Sequence, residues 1–219
     1  MPTMGGLAIF LSFNLANLFL LRNQYPSSQL YSLILAQLII IATGVIDDIY
    51  ELKPRQKMFG IFLAALVVFF VAKVRMTTLT LPFLGVIPLG WLSFPITIIW
   101  ILAITNAVNL IDGLDGLATG VSIIALTTSA VTGYFFLNVT NTFVSIMMFT
   151  LVAALIGFLP YNFHPARIYL GDTGSLFIGF MMSVFSLYGL KNATFITIII
   201  PVIIMGVPIT DTVYAILRR

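Results

Sequence analysis

Apolar residues run through this chain in long unbroken blocks, with polar residues gathered in short segments between them. Eight blocks read as membrane-spanning helices: 6–21, 30–46, 58–74, 95–111, 117–137, 143–160, 175–190 and 193–217. About 20 apolar residues cross a bilayer as a helix, so the shorter blocks need tilt or snorkelling flanks. The runs are continuous rather than alternating at every second residue, which argues against a β-barrel. Residues 75–94 break the pattern, because Thr77 to Pro82 and Val86 to Leu89 flank Gly85 with prolines and β-branched residues. That predicts a short extended hairpin outside the bilayer. The expected fold is all-α: a polytopic helical membrane protein of about eight transmembrane helices with a short extracytoplasmic β-hairpin. Residues 1–219 read as one integral membrane domain, without repeat, low-complexity tract or linker.

Composition excludes the soluble classes. Of 219 residues 60% are hydrophobic and 8% charged, with mean hydropathy +1.13, where a soluble domain carries about 25% charged residues. Eight spans consume roughly 160 residues, which leaves no large extramembrane domain. The net charge of +3 comes from ten bases against seven acids and reads as membrane-surface bias, not as a nucleic-acid footprint. With no cysteine there is no disulfide and no thiolate metal site. The first six residues lack the basic region of a cleavable signal peptide.

The acids are more ordered than loop polarity requires. Asp47, Asp48 and Glu51 lie between the second and third blocks, Asp112 and Asp115 between the fourth and fifth, Asp172 between the sixth and seventh, and Asp211 near the inner end of the eighth. Neighbouring groups are two crossings apart, so all seven carboxylates, together with His164, face one side. Lys53, Arg55, Lys57, Arg167, Arg218 and Arg219 share that side, whereas Arg22, Lys73, Arg75 and Lys191 hold the other. The surplus of bases marks the acidic side as cytoplasmic. Ionisable groups near a membrane are costly, so such clustering reads as functional.

Four segments carry candidate chemistry. In Gly44 to Glu51, the adjacent Asp47 and Asp48 repel one another and favour a nearby cation. Oxygen-only donors suit magnesium, which takes one or two carboxylates plus substrate phosphates, although an Asp here also fits a helix cap. In Asn106 to Ala118, Asn106 and Asn109 are three apart, as are Asp112 and Asp115, so each pair shares a helix face. Gly113 and Gly116 break the helix and let backbone amides approach an anion. In Asn162 to Ser175, the run Gly171, Asp172, Thr173, Gly174 and Ser175 opens a span and offers a phosphate seat at a helix start. It lacks the lysine of a nucleotide-binding P-loop. His164 is the single histidine and reads as structural or substrate-contacting rather than catalytic. Finally, Gly206, Pro208 and Asp211 mark either a broken helix lining a cavity or a capped helix end.

Acidic, glycine-bearing segments on one membrane face point to a metal-dependent enzyme acting on phosphate. The rival is a cation-coupled transporter, whose acids normally sit at mid-membrane on broken helices at a repeat interface. A scaffold, the third class, needs no such clustering.

The ordered motifs also carry a resemblance. Pro2 to Gly6, the Asp47–Asp48 pair, Asn106 to Ala118 and Gly171 to Ser175 resemble the polyprenyl-phosphate N-acetylhexosamine-1-phosphate transferases, glycosyltransferase family 4. Asn162 to Ala166 looks closer to the undecaprenyl-phosphate N-acetylglucosamine-1-phosphate branch than to the phospho-N-acetylmuramoyl-pentapeptide branch. The resemblance implies transfer of a sugar 1-phosphate from a UDP-N-acetylhexosamine to polyprenyl phosphate, with release of UMP. It implies Asp47 and Asp48 beside the reacting phosphates, one of them a possible base. Asp172 and Asn109 would take magnesium (or manganese), and Asp115, Asn162 and Tyr169 the nucleotide. Asp112, Gly113, Gly171, Thr173, Gly174, Ser175 and His164 would form the supporting loops. It further implies a multi-pass plasma-membrane enzyme with a cytoplasmic active site, a lipid partner in an apolar groove, and a homodimer as an admissible state. Members of the family carry another span before the Pro-Thr-Met-Gly-Gly segment. Beyond the Arg218–Arg219 pair they carry a His-rich loop and a last span, so the chain is expected to be short at both ends.

Overall fold

Seven α-helices and one β-hairpin make up the computed structural model, which describes residues 3–21, 27–81, 85–135 and 142–190. In chain order these are α1 (Gly5–Leu21), α2 (Ser27–Tyr50), α3 (Pro54–Phe70), β1 (Thr78–Leu81), β2 (Gly85–Pro88), α4 (Ser93–Ile111), α5 (Leu117–Phe135), α6 (Thr142–Asn162) and α7 (Gly171–Leu190). Ser28–Tyr50, Gly90–Ile111, Leu117–Phe135 and Phe143–Asn162 are long and apolar enough to cross a membrane, and α1 is apolar but has 17 residues. The chain is a polytopic helical membrane protein, as the hydrophobic pattern predicts. The strands pair antiparallel with Leu79 opposite Ile87, inside the predicted 75–94 segment. The predicted 193–217 block lies outside the described residues, as do Pro2, Arg22, Lys191, Asp211, Arg218 and Arg219.

Several helix ends differ from the hydrophobic blocks, for local reasons. α2 continues to Tyr50, so Asp47 and Asp48 occupy its last turn, and Glu51 ends it at φ 49°. α3 starts at Pro54 rather than at 58. A proline suits the first helical position, and the Gln56 side chain accepts from the Lys53 N–H at 3.0 Å. α7 starts at Gly171, so Asp172 to Ser175 form its first turn instead of a loop.

α7 is the axis of the bundle, packed on α1, α2 and α4, while α5 pairs with α6 and α6 with α1. Every residue from Thr173 to Phe185 is buried, which suits a helix that is apolar all round. The Phe177 ring meets Phe10 and Phe13 edge-on at 5.6 and 5.8 Å. Within the apolar region Asn14 Nδ2 donates to Gln37 Oε1 at 2.8 Å, tying α1 to α2 as polar pairs do between membrane helices. α2 approaches α7 closely at Gly44, where an added Cβ would lie 2.5 Å from Thr173 Cα. That contact brings the end of α2 onto the start of α7.

Candidate active site

The start of α7 lacks a cap from its own sequence, and Asp48 of α2 supplies one. Asp48 Oδ1 accepts from the Asp172 N–H at 2.7 Å, while Oδ2 accepts from the Thr173 N–H at 3.1 Å and the Thr173 hydroxyl at 2.5 Å. A carboxylate at a helix N-terminus is stabilised by the unpaired amides and the dipole. Gly171 sits at φ 72°, and a Cβ there would fall 2.9 Å from Asp48 Oδ2, so glycine permits both the turn and the contact. Two of the amides that the sequence offers to a phosphate, those of Asp172 and Thr173, are therefore occupied by Asp48. At these two positions of the seat expected at Gly171 to Ser175, the chain supplies its own carboxylate.

Lys57, at the start of α3, is the hub of the cluster. Its Nζ lies 2.5 Å from Asp47 Oδ2 and 2.8 Å from Asp172 Oδ1, and donates to Asn109 Oδ1 at 3.4 Å. Asn109 Nδ2 in turn donates to Asp172 Oδ1 at 2.5 Å and to Ser175 Oγ at 2.8 Å. Asp47 is buried and accepts the Leu52 N–H at 2.8 Å. The cation that adjacent carboxylates call for is thus a lysine for Asp47, while the α7 terminus serves Asp48.

A cavity of about 410 Å³ opens beside this cluster, lined in part by Thr3, Asp48, Asn109, Asp112, Asp115 and Asp172. Asp47 and Lys57 are not among its lining residues, and Lys57 is joined to it through Asp172 and Asn109. Burial, with the Asp172 and Asp48 carboxylates nearby, pushes Asp112 up to about 7. No group of three or more acidic or histidine side chains among the described residues is arranged to hold a metal by itself. The lining side chains carry carboxylate and amide oxygens, of which Asp172 Oδ1 and Asn109 Oδ1 are held by Lys57. Magnesium accepts such a set when substrate phosphates and water complete its shell.

The far wall joins two connections. Asp115 Oδ2 accepts from the Ala166 N–H at 3.1 Å and lies 3.1 Å from His164 Nδ1. Asn162 is buried, accepting from Thr119 Oγ1 at 2.8 Å and donating to the Ile168 carbonyl at 3.2 Å. Tyr169 is 39% exposed and lines the cavity with Asn162 and Gly113. Gly174 packs against Gly6, which itself donates its N–H to the Leu170 carbonyl at 3.2 Å. The site residues named from sequence thus converge at one end of the bundle. Asn106 stays outside, donating to the Leu102 carbonyl and facing Met58.

The sequence assigns no site role to Lys57, and Thr3 enters there only within the Pro2 to Gly6 motif. Lys57 was visible only as a base on the acidic side, and its spacing of ten from Asp47 marks no single helix face. Next to the polar cavity, α1 and α6 enclose an apolar groove of about 890 Å³, lined among others by Met4, Ala8, Ala16, Ala154 and Gly157. Thr3 and Tyr169 line the cavity while their chain neighbours Met4 and Ile168 line the groove, so the two share a wall.

The chain is similar in sequence to known proteins. The model of "Glycosyl transferase family 4" matches residues 30–190. A Bacillus subtilis protein named as a probable undecaprenyl-phosphate N-acetylglucosaminyl 1-phosphate transferase is 44% identical over the full chain, which spans 60% of that relative. A phospho-N-acetylmuramoyl-pentapeptide-transferase of Clostridium beijerinckii is 34% identical over 99% of the chain and 67% of its own length. The Staphylococcus aureus protein of that name is 34% identical over 85% of the chain and 61% of its own length. With the acids gathered at one end of a helical bundle and matches along its whole length, the chain belongs to glycosyl transferase family 4.

Proposed function

We propose that this protein transfers N-acetylglucosamine 1-phosphate from its UDP conjugate to polyprenyl phosphate. An oxygen of the lipid phosphate attacks the sugar-bearing phosphorus, the diphosphate bond breaks, and UMP leaves. The observation that carries this reading is the shared wall between the carboxylate-lined cavity and the apolar groove, in a chain of this family. A lipid phosphate needs both environments side by side. The branch rests on the higher identity to the Bacillus subtilis protein than to the pentapeptide transferases.

The roles assigned here join what the motif resemblance implies to the contacts of each side chain. Asp172 and Asn109 are the residues that would hold magnesium, which when bound offsets the charge of two anionic substrates. Lys57 neutralises Asp47 and Asp172, which lessens the negative charge that an incoming phosphate meets at the cavity wall. Asp48 fixes the α7 terminus that carries Asp172. Tyr169 would stack on uracil, and Asp115 and Asn162 shape the nucleotide wall. A phosphate monoester is largely ionised near neutral pH, its second pKa being about 6, so the attack needs no obligatory base. The site would face the cytoplasm of the plasma membrane, where the base-rich end belongs.

The test is UMP release by the purified protein from UDP-N-acetylglucosamine, with mass identification of the lipid product across a panel of UDP-sugars. Release is expected only when polyprenyl phosphate and magnesium are both present. Release with neither overturns the assignment, and a product formed only from the UDP-muramoyl-pentapeptide moves the protein to the other branch.

A further inference from the structure

The opposite end of the bundle carries a second polar site that the transfer reaction does not use. No acidic residue occurs between Glu51 and Asp112, so Lys73 and Arg75 meet none on the hairpin connection. The ion pairs of the described residues involve Lys57 and His164, all at the other end. Arg75 therefore has no carboxylate partner among the described residues, and its guanidinium stands over the Phe69 ring at 5.7 Å.

A cavity of about 330 Å³ lies here, lined by Phe69, Arg75, Thr77, Trp91, Ser93 and Phe94, with Gly90. Its frame is fixed. The Met76 N–H donates to Thr97 Oγ1 at 3.1 Å, and the Leu89 N–H donates to the Thr77 carbonyl at 2.9 Å, tying the strap that bears Arg75 to α4. A 3-10 turn, Gly90–Leu92, leads into α4 and its Gly90 and Trp91 carbonyls accept the Ser93 N–H, so the positive end of this 22-residue helical run lies at Gly90 and Trp91, which line the cavity. Independently, Ser93 is 7% exposed and its Oγ has no hydrogen-bond partner, an unfavourable state for a buried hydroxyl. A guanidinium without a counter-ion, a helix N-terminus and an unpaired hydroxyl around one cavity describe an anion site.

The rim identifies the anion as a lipid. Trp91 is 82% exposed and Phe70 62%, and aromatic side chains at a bundle end sit at the headgroup level of a bilayer. A free phosphate has no use for that apolar rim. We propose that this cavity seats the phosphodiester headgroup of an anionic phospholipid, with Arg75 gripping two phosphate oxygens and Ser93 donating to one. Arginine suits this through its planar fork.

The experiment is lipid binding to the detergent-purified protein by native mass spectrometry, with phosphatidylglycerol, phosphatidylcholine and soluble glycerol 3-phosphate as probes. Phosphatidylglycerol is expected to bind about five- to tenfold tighter than phosphatidylcholine, with Arg75→Gln abolishing that preference. Arg75→Lys keeps the charge without the fork and is expected to retain part of it. An Arg75→Gln protein with unchanged preference overturns the site. Glycerol 3-phosphate that displaces the lipid at equal concentration makes it a free-phosphate site and overturns the lipid assignment. If Arg75→Gln does not fold, Ser93→Ala carries the test. It removes a buried unpaired hydroxyl, should fold at least as well, and is expected to weaken phosphatidylglycerol about threefold, whereas unchanged affinity overturns the proposal.

Discussion

Replacing Asp48 by Asn separates a clamp from a reacting group. Asp48 accepts three hydrogen bonds from the first turn of α7, through both carboxylate oxygens. Asparagine keeps one oxygen and turns an NH2 group toward the remaining donors. Loss of an N-cap costs about 0.5–2 kcal/mol, and the charge–dipole attraction adds about 0.3–1 kcal/mol. The expected destabilisation is therefore about 2 kcal/mol, or a fall of about 4–8 °C in melting temperature for a chain of this size. Turnover should fall with it, because Asp172 is the residue whose N–H Asp48 holds, and excess magnesium should recover part of the loss. The assay pairs thermal unfolding in detergent with UMP release over a magnesium titration. If Asp48→Asn melts like the parent and yet has lost all turnover at every magnesium concentration, Asp48 acts on substrate and the clamp reasoning is refuted.

Gly44→Ala should reproduce the same phenotype from the other side, since its Cβ would lie 2.5 Å from Thr173 Cα. Overpacking of this kind costs about 1–3 kcal/mol, read as a lower melting temperature with a raised magnesium requirement. Lys57→Gln leaves the buried Asp47 without its cation. A loss of about 3 kcal/mol is expected, and Asp47→Asn in the same chain should restore part of it in a double-mutant cycle. The folded pKa of Asp112 is raised from 3.8 to about 7. The native state then holds a proton that the unfolded chain has lost, so stability is fullest below the unfolded pKa and declines as pH rises toward 7. Without magnesium the melting temperature should fall by about 5–10 °C between pH 5 and 7.5. Asp112→Asn should flatten that slope, and an unchanged slope would show that another group causes it.

Much of this architecture was legible in the chain. Apolar blocks located the helices because a bilayer rewards unbroken hydrophobicity over a set length, a one-dimensional property. Crossing parity placed the acids together for the same reason, and Asp47, Asp48, Asp112, Asp115 and Asp172 do meet at one end. Glycines and prolines marked the hairpin, since backbone freedom is also local.

What each acid does there was decided only by packing. Asp47 and Asp48 are adjacent and chemically identical in sequence, yet one is buried against Lys57 and the other caps a helix that starts 123 residues later at Gly171. The cap exists because Gly44 lets α2 approach α7 closely, a distance that no spacing along the chain encodes. Lys57 became the hub in the same way, through helices α2, α3, α4 and α7 converging on one point. Local chemistry selected the residue types and their side of the membrane. Roles arise from contacts between distant segments, which form only when the whole bundle closes.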